Sequence, residues 1–209
     1  MKIAIFGGTG SMGQGLAALL SKSHEVLIAS RDPGKARQVA AAVAGATGTD
    51  YGTAAEGCEA AVVAIPFSAL GSLSPIAGAL TGKLVISMVN PLKTEGGVFR
   101  YALERGSAAE SLGTVLPNSR VATAFNNIPS SFFSGPGPQT LDVVVCADTR
   151  ATYDEAAVIV RSIPNLRPLY GGPLRVAADV ERITPLILNL AKWNAMGSIA
   201  PRFVSREAA

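Results

Sequence analysis

The sequence predicts an α/β fold: a doubly wound, mostly parallel sheet of the Rossmann type with a small C-terminal helical segment. Three observations predict it. Short apolar runs of the kind that form buried parallel strands recur along the chain. Helical segments separate these runs, which is the alternation expected of β-α-β units. At 209 residues, with 48% hydrophobic and 16% charged residues, the chain can bury a sizeable core.

The first β-α unit contains a glycine-rich turn. Lys2–Phe6 is predicted to be a buried strand, and Gly8, Gly10 and Gly13 form a G-x-G-x-x-G pattern directly after it. In this pattern Gly8 allows a tight turn, Gly10 lets the backbone approach a pyrophosphate, and Gly13 lets the next helix pack closely. Ser11–Leu20 supplies that helix, whose N-terminal amides and dipole favour phosphate. We therefore predict dinucleotide binding rather than a purely structural turn.

The end of the second strand, Glu25–Ala29, indicates which dinucleotide binds. An NAD site usually has an acidic residue there, to accept hydrogen bonds from the ribose 2′-hydroxyl. This chain instead has Ser30 and Arg31, with Lys35 four residues further on. A guanidinium fork, a hydroxyl and an ammonium suit a 2′-phosphate, so these residues predict NADP. The alternative is a solvated basic turn.

The alternation of helices and strands continues to about residue 170. Helices are predicted at 36–44, 53–57, 67–80, 107–116 and 152–163, and strands at 60–65, 84–88, 120–125, 141–146 and 167–170. Loops are predicted at 45–48 and 134–139, and a surface excursion at 93–106. Residues 1–172 are thus expected to form the NADP-binding domain. Residues 173–209 are expected to form a helical cap, helical over 176–203 with kinks at Pro185 and Gly197.

Ligands of such sheets lie beyond the carboxyl ends of the strands. Three loops occupy that edge, and the side chains expected to line a cofactor cleft there are Ile65, Pro66, Phe67, Asn90, Pro91, Asn126, Ile128 and Ser130. On the C-terminal segment, Leu186, Leu190 and Trp193 recur at helical spacing, which is more typical of a core or a dimer interface than of a cofactor site.

Composition excludes several other functions. The net charge of +3 comes without a run of Lys or Arg that would indicate nucleic-acid binding. We expect neither a signal segment nor a membrane span, and hence a cytoplasmic protein. Cys58 and Cys146 are too isolated for a metal or redox site and are expected to be buried hydrophobes, while His24 is expected in a surface turn. We predict no metal site.

The chain resembles the coenzyme F420-dependent NADP oxidoreductase family. The resemblance rests on GGTGSMGQGLA, SRDPGKA, AVVAIPF, SAAES, LDVVVCAD, LRPLYGGPL and, most specifically, ERITPLILNLAKWNAMGSIAPRFV. It implies hydride transfer between NADP(H) and the deazaflavin F420 in a homodimer. It also implies that Thr9, Gly10, Ser11 and Met12 hold the pyrophosphate, that Ser30, Arg31 and Lys35 hold the 2′-phosphate, and that Ile65, Asn90 and Ser130 line the rest of the NADP site.

The loop at Asn126 departs from the family pattern. Archaeal members have a histidine there, near the deazaflavin, whereas the AFN version is similar to the NADPH-binding domains of membrane metalloreductases. Reduction of FAD, FMN or ferric iron therefore remains an alternative, and so does an NADP(H)-sensing protein without turnover. Hydride transfer needs positioned rings rather than a proton-transferring side chain. We therefore predict no catalytic residue, with Asn126 to Ser130 and the segment containing Met196 around the second ring.

Overall fold

The computed structural model describes residues 1–133 and 140–205, so the loop predicted at 134–139 lies outside the described residues. The strands are β1 (Lys2–Phe6), β2 (Glu25–Ala29), β3 (Ala46–Thr49), β4 (Ala60–Val63), β5 (Leu84–Ser87), β6 (Leu92–Glu95), β7 (Val98–Tyr101), β8 (Arg120–Thr123), β9 (Leu141–Cys146) and β10 (Leu166–Gly172). The α-helices are α1 (Ser11–Leu20), α2 (Pro33–Ala40), α3 (Tyr51–Gly57), α4 (Ala108–Val115), α5 (Ser130–Phe133), α6 (Arg150–Arg161) and α7 (Ala177–Trp193). Short 3-10 segments cover Phe67–Ile76, Gly78–Leu80 and Leu174–Val176.

Six strands form one parallel sheet in the order β3-β2-β1-β4-β5-β8. The direction of winding reverses between β1 and β4, so the connections place helices on both faces. The predicted doubly wound parallel sheet is therefore confirmed. The reversal also opens a crevice at the carboxyl ends of β1 and β4, where sheets of this kind bind ligands.

Two apolar cores cover the two faces of the sheet. Successive side chains of a strand point to opposite faces, and β1 follows this rule: Ile3 and Ile5 pack with α1, α2 and α6, whereas Ala4 and Phe6 pack with α3, α4 and the start of α7. All four are fully buried. Both cysteines are buried and free, as expected from the sequence.

Strands β9 and β10 form a separate two-stranded parallel sheet. An antiparallel bridge between Ala122 and Ala147 joins it to β8. The backbone N–H of Cys146 also donates to the hydroxyl of Thr123 over 3.0 Å. The two strands were predicted, but their separation from the main sheet was not.

The region after β2 differs from the prediction. Helix α2 begins at Pro33, earlier than the predicted start at residue 36, because the Asp32 carboxylate caps it by accepting from the backbone N–H groups of Gly34 and Lys35. Residues predicted as a loop form the edge strand β3. A Cβ on Gly48 would lie 2.3 Å from the Ala36 backbone, so β3 and α2 pack directly against each other. Strand β3 (ATGT) has no run of apolar residues, which is the pattern by which strands are usually predicted. Its small residues instead allow it to pack closely against α2.

Three further segments differ from expectation. The surface excursion predicted at 93–106 contains the antiparallel hairpin β6-β7, turned by Gly96 and Gly97 at positive φ. The helix predicted at 67–80 is instead 3-10, with Pro75 inside it. Helix α7 ends at Trp193 and does not continue toward residue 203. No helix within the described ranges is long and apolar enough to cross a bilayer.

Candidate functional site

The glycine turn after β1 is built by close backbone contacts. Gly7, not Gly8, has the left-handed conformation, with φ of +84°, and a Cβ there would lie 2.6 Å from the Ala64 carbonyl oxygen. A Cβ on Gly8 would lie 2.9 Å from the Ile5 carbonyl oxygen. Gly8 therefore takes part in the tight turn, as the sequence predicts, but the left-handed residue of the turn is Gly7. A Cβ on Gly13 would lie 2.6 Å from the Gly7 carbonyl oxygen, which confirms that Gly13 lets α1 pack closely.

The N-terminus of α1 faces this turn without a capping side chain. Gly10 is the N-cap residue, and the first turn contains no acidic residue. The first amides of a helix have no intrahelical acceptors, so those of Ser11 and Met12 remain free to bind an anion. Thr9 lies beside them, and its carbonyl accepts from the Gln14 side chain over 2.7 Å. This arrangement suits a phosphate group.

The residues predicted for the 2′-phosphate lie together after β2. The Ser30 hydroxyl is buried and accepts from the Asp32 backbone N–H over 3.2 Å. Arg31 and Lys35 are exposed, and within the described chain neither side chain makes a hydrogen bond or an ion pair. Burial raises the pKa of the nearby Tyr51 hydroxyl, and the Arg31 charge partly offsets the effect. The Asp32 carboxylate caps α2 and, within the described chain, does not pair with Arg31 or Lys35. Both cations therefore remain available for an anionic ligand.

A cavity of about 380 Å³ lies between the glycine turn and the ends of β4 and β5. Its lining brings together six predicted residues and adds three others; in full it consists of Gly10, Ser11, Met12, Ala64, Ile65, Pro66, Met88, Val89 and Asn90. Phe67 and Pro91 do not line it. Phe67 packs against the apolar core that contains Phe6, and Pro91 is buried with its carbonyl accepting from Ala102 over 2.8 Å.

A second cavity, of about 660 Å³, adjoins the first. Its walls are the loop after β8, one side of α7 and the segment that follows α7; the lining residues are Met12, Met88, Asn90, Leu92, Asn126, Asn127, Ile128, Pro129, Ser130, Thr184, Ile187, Leu188, Ala191, Gly197, Ser198 and Ile199. Met12, Met88 and Asn90 line both cavities. The two spaces therefore form one cleft, wide enough for two ring systems to meet. The predicted Met196 is half exposed and does not line the cleft, although the next three residues do.

Two amide side chains at the junction of the cavities have fixed orientations. The Asn126 Nδ2 donates to the Val89 carbonyl over 3.1 Å, and the Asn90 Nδ2 donates to the Asn126 carbonyl over 2.7 Å. Both Oδ1 atoms are buried and accept no hydrogen bond in the described chain. Phe125, just before Asn126, has φ of +66°, a strained conformation for a bulky residue. Strain and unpartnered polar atoms often accompany a binding site.

Helix α7 is fastened to the loop after β8. The Thr184 hydroxyl donates to the Asn126 carbonyl over 2.9 Å and accepts from the Asn127 Nδ2 over 2.9 Å. The Asn127 Nδ2 also donates to the Val180 carbonyl over 3.0 Å. These contacts hold α7 at a fixed distance from the loop after β8, and both elements are walls of the second cavity.

A buried carboxylate anchors the first turns of α7. Glu181 is fully buried and accepts hydrogen bonds from the backbone N–H groups of Ala108 and Ala109 and from the Tyr101 hydroxyl, at 2.8, 3.1 and 2.7 Å. Burial raises the pKa of Glu181, and burial together with the bond to Glu181 raises that of Tyr101. The carboxylate thus joins α7 to the N-terminus of α4.

Sequence reasoning missed the α7 wall of the cleft. Thr184, Ile187, Leu188 and Ala191 follow the i, i+3, i+4, i+7 spacing of one helix face. The sequence contains this pattern. However, Leu186, Leu190 and Trp193 form a second stripe of larger side chains, and that stripe was interpreted as the core or dimer-interface face of the helix. That stripe is exposed, so its interpretation as core is wrong.

Comparison with known proteins agrees with the geometry of the cleft. Residues 2–91 match the family model described as NADP oxidoreductase, coenzyme F420-dependent. The F420-dependent NADP reductase of Methanothermobacter marburgensis is 37% identical, over 91% of this chain and 92% of that protein. That of Methanothermobacter thermautotrophicus is 35% identical, over 91% and 89%. A crystal structure from Arthrobacter sp. FB24 shares the fold, with a TM-score of 0.87, 24% identity and coverage of 98% and 100%. The chain belongs to the coenzyme F420-dependent NADP oxidoreductase family.

Proposed function

We propose that the protein transfers a hydride between NADP(H) and coenzyme F420. The observation that carries the proposal is the pair of adjoining cavities with Met12, Met88 and Asn90 as common walls. One cavity begins at the free N-terminus of α1, where a dinucleotide phosphate fits, and the other offers a larger, mainly apolar space. The relatives that match over nearly the whole chain are named F420-dependent NADP reductases.

In this proposal residues 1–172 bind NADP(H) and residues 173–209 cap the second cavity. Thr9, Gly10, Ser11 and Met12 hold the pyrophosphate with backbone amides, while Ser30, Arg31 and Lys35 bind the 2′-phosphate. Ile65, Pro66 and Asn90 place the nicotinamide at the junction of the cavities. Asn126, Ile128 and Ser130 contact the second ring. Phe67, Pro91 and Met196 support these positions from outside the lining.

The chemistry proposed for the chain's own residues is positioning. The nicotinamide supplies the hydride and the deazaflavin accepts it, or the reverse. The protein holds the two rings at about 3–3.5 Å between the reacting atoms and excludes water from between them. Met12 and Met88 give apolar surface to both cavities, beside the amide groups of Asn90 and Asn126 at the junction. Reduction of the deazaflavin also takes up one proton, which solvent supplies and, in the reverse direction, takes back, so no side chain needs to transfer it.

The experiment that tests this function compares acceptors. Purified protein is mixed with NADPH and, in separate reactions, with F420, FMN, FAD or a ferric chelate, and the nicotinamide absorbance is followed. We expect rapid loss of absorbance with F420 and little with the others. Faster oxidation by FMN, FAD or ferric chelate would indicate a flavin or ferric reductase. Tight NADPH binding without oxidation by any acceptor would indicate a sensor.

We also propose that the protein is a homodimer. Leu186, Leu190 and Trp193 form an exposed apolar stripe on α7, and Trp193 is 62% exposed. A stripe of this kind, adjoining the substrate cleft, suits a second copy of the same helix. We expect sedimentation to give the mass of a dimer, and Leu190→Glu to give a monomer. Val158→Glu, a change at an exposed apolar residue of α6, is the control and should leave the dimer intact. A monomeric wild-type protein would contradict the proposal.

A further inference from the structure

An ion pair on the small sheet lies outside the cleft described above. Asp142 of β9 and Arg167 of β10 stand opposite each other in the strand register. The Arg167 Nε and Nη2 donate to the two carboxylate oxygens of Asp142 over 2.6 and 3.0 Å, a bidentate pair. The Asp142 side chain is fully buried, whereas the Arg167 side chain is half exposed. A buried carboxylate held in this way has a fixed position.

The same two residues hold the end of the chain. The Asp142 carboxylate accepts from the Phe203 backbone N–H, and the Asp142 backbone N–H donates to the Pro201 carbonyl over 3.3 Å. The Arg167 Nη2 donates to the Phe203 carbonyl over 2.8 Å. Burial alone would raise the pKa of Asp142, but the hydrogen bonds from Arg167 and Phe203 outweigh it, so its pKa lies below the ordinary value. The carboxylate therefore stays charged and able to accept at neutral pH.

The other end of this segment is fixed where α7 stops. Ala195 has φ of +50°, and the Met196 N–H donates to the Ala191 carbonyl over 2.9 Å, the six-to-one bond of a Schellman motif. The motif turns the chain back from the helix axis. Between this turn and the ion pair lie Gly197, Ser198 and Ile199, which line the second cavity. We call residues 197–203 the strap.

We propose that the Asp142–Arg167 pair is a positioning device for the acceptor: it holds the strap against the second cavity and so sets the affinity for the second ring. The inference rests on the proposed function. Gly197, Ser198 and Ile199 form a wall of the cavity, but the first two are exposed, and Ile199 is only partly buried and belongs to neither apolar core of the described chain. The wall is therefore kept in place by its two ends, the helix turn and the ion pair. Releasing the second end moves the wall without touching the NADP cavity.

The test uses the full-length protein with matched variants. Arg167→Met removes both the ion pair and the bond to the Phe203 carbonyl. Phe203→Pro removes the backbone N–H that donates to Asp142 together with the phenyl ring, and Phe203→Ala is its control because it removes the ring but keeps that N–H. Arg150→Met removes an ion pair with Asp154 and the stacking of Arg150 on Tyr153 and Tyr170, and none of these contacts involves the strap. The readouts are KM and kcat for F420, Kd for NADPH by fluorescence, and hydrogen exchange of the strap amides.

We expect Arg167→Met and Phe203→Pro each to raise the KM for F420 about tenfold, with Kd for NADPH changed by less than about twofold. Strap amides should exchange faster in both variants, while Phe203→Ala and Arg150→Met should behave as wild type. The double variant should show no more than the larger single effect, because both changes act on one contact. Unchanged KM and unchanged strap exchange in Arg167→Met and Phe203→Pro would overturn the inference. Failure of the wild-type protein to reduce F420 would instead overturn the proposed function, and the exchange data would still decide whether the pair holds the strap.

Discussion

At the scale of single residues, we propose that Arg31 determines the choice between NADP and NAD. Its guanidinium is exposed and has no partner in the described chain, so it is ready for an anion. We expect Arg31→Ala to weaken NADPH binding by roughly 10- to 100-fold, the loss of about 1.5–3 kcal/mol for a hydrogen bond to a charged group. NADH, which lacks the 2′-phosphate, should lose little. Fluorescence titration with both cofactors measures this, with Arg37→Ala on the exposed side of α2 as the control. Equal losses for NADPH and NADH would refute the assignment.

Asn126 lines the second cavity, next to Asn90. Its Nδ2 donates to the Val89 carbonyl and so holds the loop after β8, and its buried Oδ1 has no partner among residues 1–133 and 140–205. Because a buried oxygen without a donor is rare, we expect a bound ring or an ordered water to donate to it. Asn126→Ala should lower kcat/KM for F420 about tenfold and cost about 1 kcal/mol of unfolding free energy. Steady-state kinetics and denaturant titration measure the two effects. The exposed Asn118→Ala is the control, and turnover equal to wild type in Asn126→Ala would remove Asn126 from the site.

Short sequence motifs predict functional residues well only where those residues lie close together in the sequence. The glycine pattern and the basic residues after β2 lie in one short stretch, so the sequence alone is enough to predict which residues bind NADP. The sequence cannot show that Asn90 and Asn126 meet, because that contact depends on the packing of β5 beside β8. Gly7 was missed for a similar reason. The backbone of Ala64, which is remote in sequence, leaves no room for a Cβ at Gly7.

At the scale of elements, the position of α7 decides the shape of the acceptor cavity. Glu181 fixes one end of the helix to the N-terminus of α4, and Asn189 pairs with both backbone groups of Phe99 in β7, at 3.0 and 2.8 Å. Asn189 is polar and buried on a largely apolar helix, and its hydrogen bonds to the β6-β7 hairpin explain its position there. The hairpin was not predicted because the stretch 93–106 is polar and contains two adjacent glycines.

Glu181→Gln tests this anchoring. At neutral pH we expect a loss of about 1–3 kcal/mol of unfolding free energy, because the amide cannot accept from all three donors. Denaturant titration measures it, and Glu104→Gln at an exposed site should cost nothing. A wild-type-like unfolding curve for Glu181→Gln would show that the carboxylate does not anchor α7.

The raised pKa of Glu181 determines how its contribution to the free energy of unfolding changes with pH. Burial raises the pKa of Glu181 in the folded state above its unfolded value of about 4.5, so the folded state binds the proton more readily. The contribution of Glu181 to stability is then greatest below the unfolded pKa and is lost as pH rises through the folded pKa. We expect wild type to gain stability relative to Glu181→Gln on acidification from neutral pH toward pH about 5. A difference that does not vary with pH would contradict the shifted pKa.

At the scale of the whole molecule, the alternation of apolar runs and helices was enough to predict the doubly wound sheet. Five of the six parallel strands are buried apolar segments that are visible in the sequence, and β3 (ATGT) is the exception. The remainder depends on tertiary packing. The small sheet of β9 and β10 and the position of the strap depend on contacts between residues far apart in sequence, such as Asp142 with Phe203. The family resemblance supplied the second cofactor, which the local motifs could not.

The central claim is that two cavities with common walls bring two rings into contact for direct hydride transfer. The most direct measurement uses NADPH carrying deuterium at both C4 positions, with F420 as acceptor in ordinary water, and mass spectrometry of the reduced product. We predict that reduced F420 carries one carbon-bound deuterium taken from NADPH, because the rings meet without intervening water. Reduced F420 that carries only solvent hydrogen would contradict the claim.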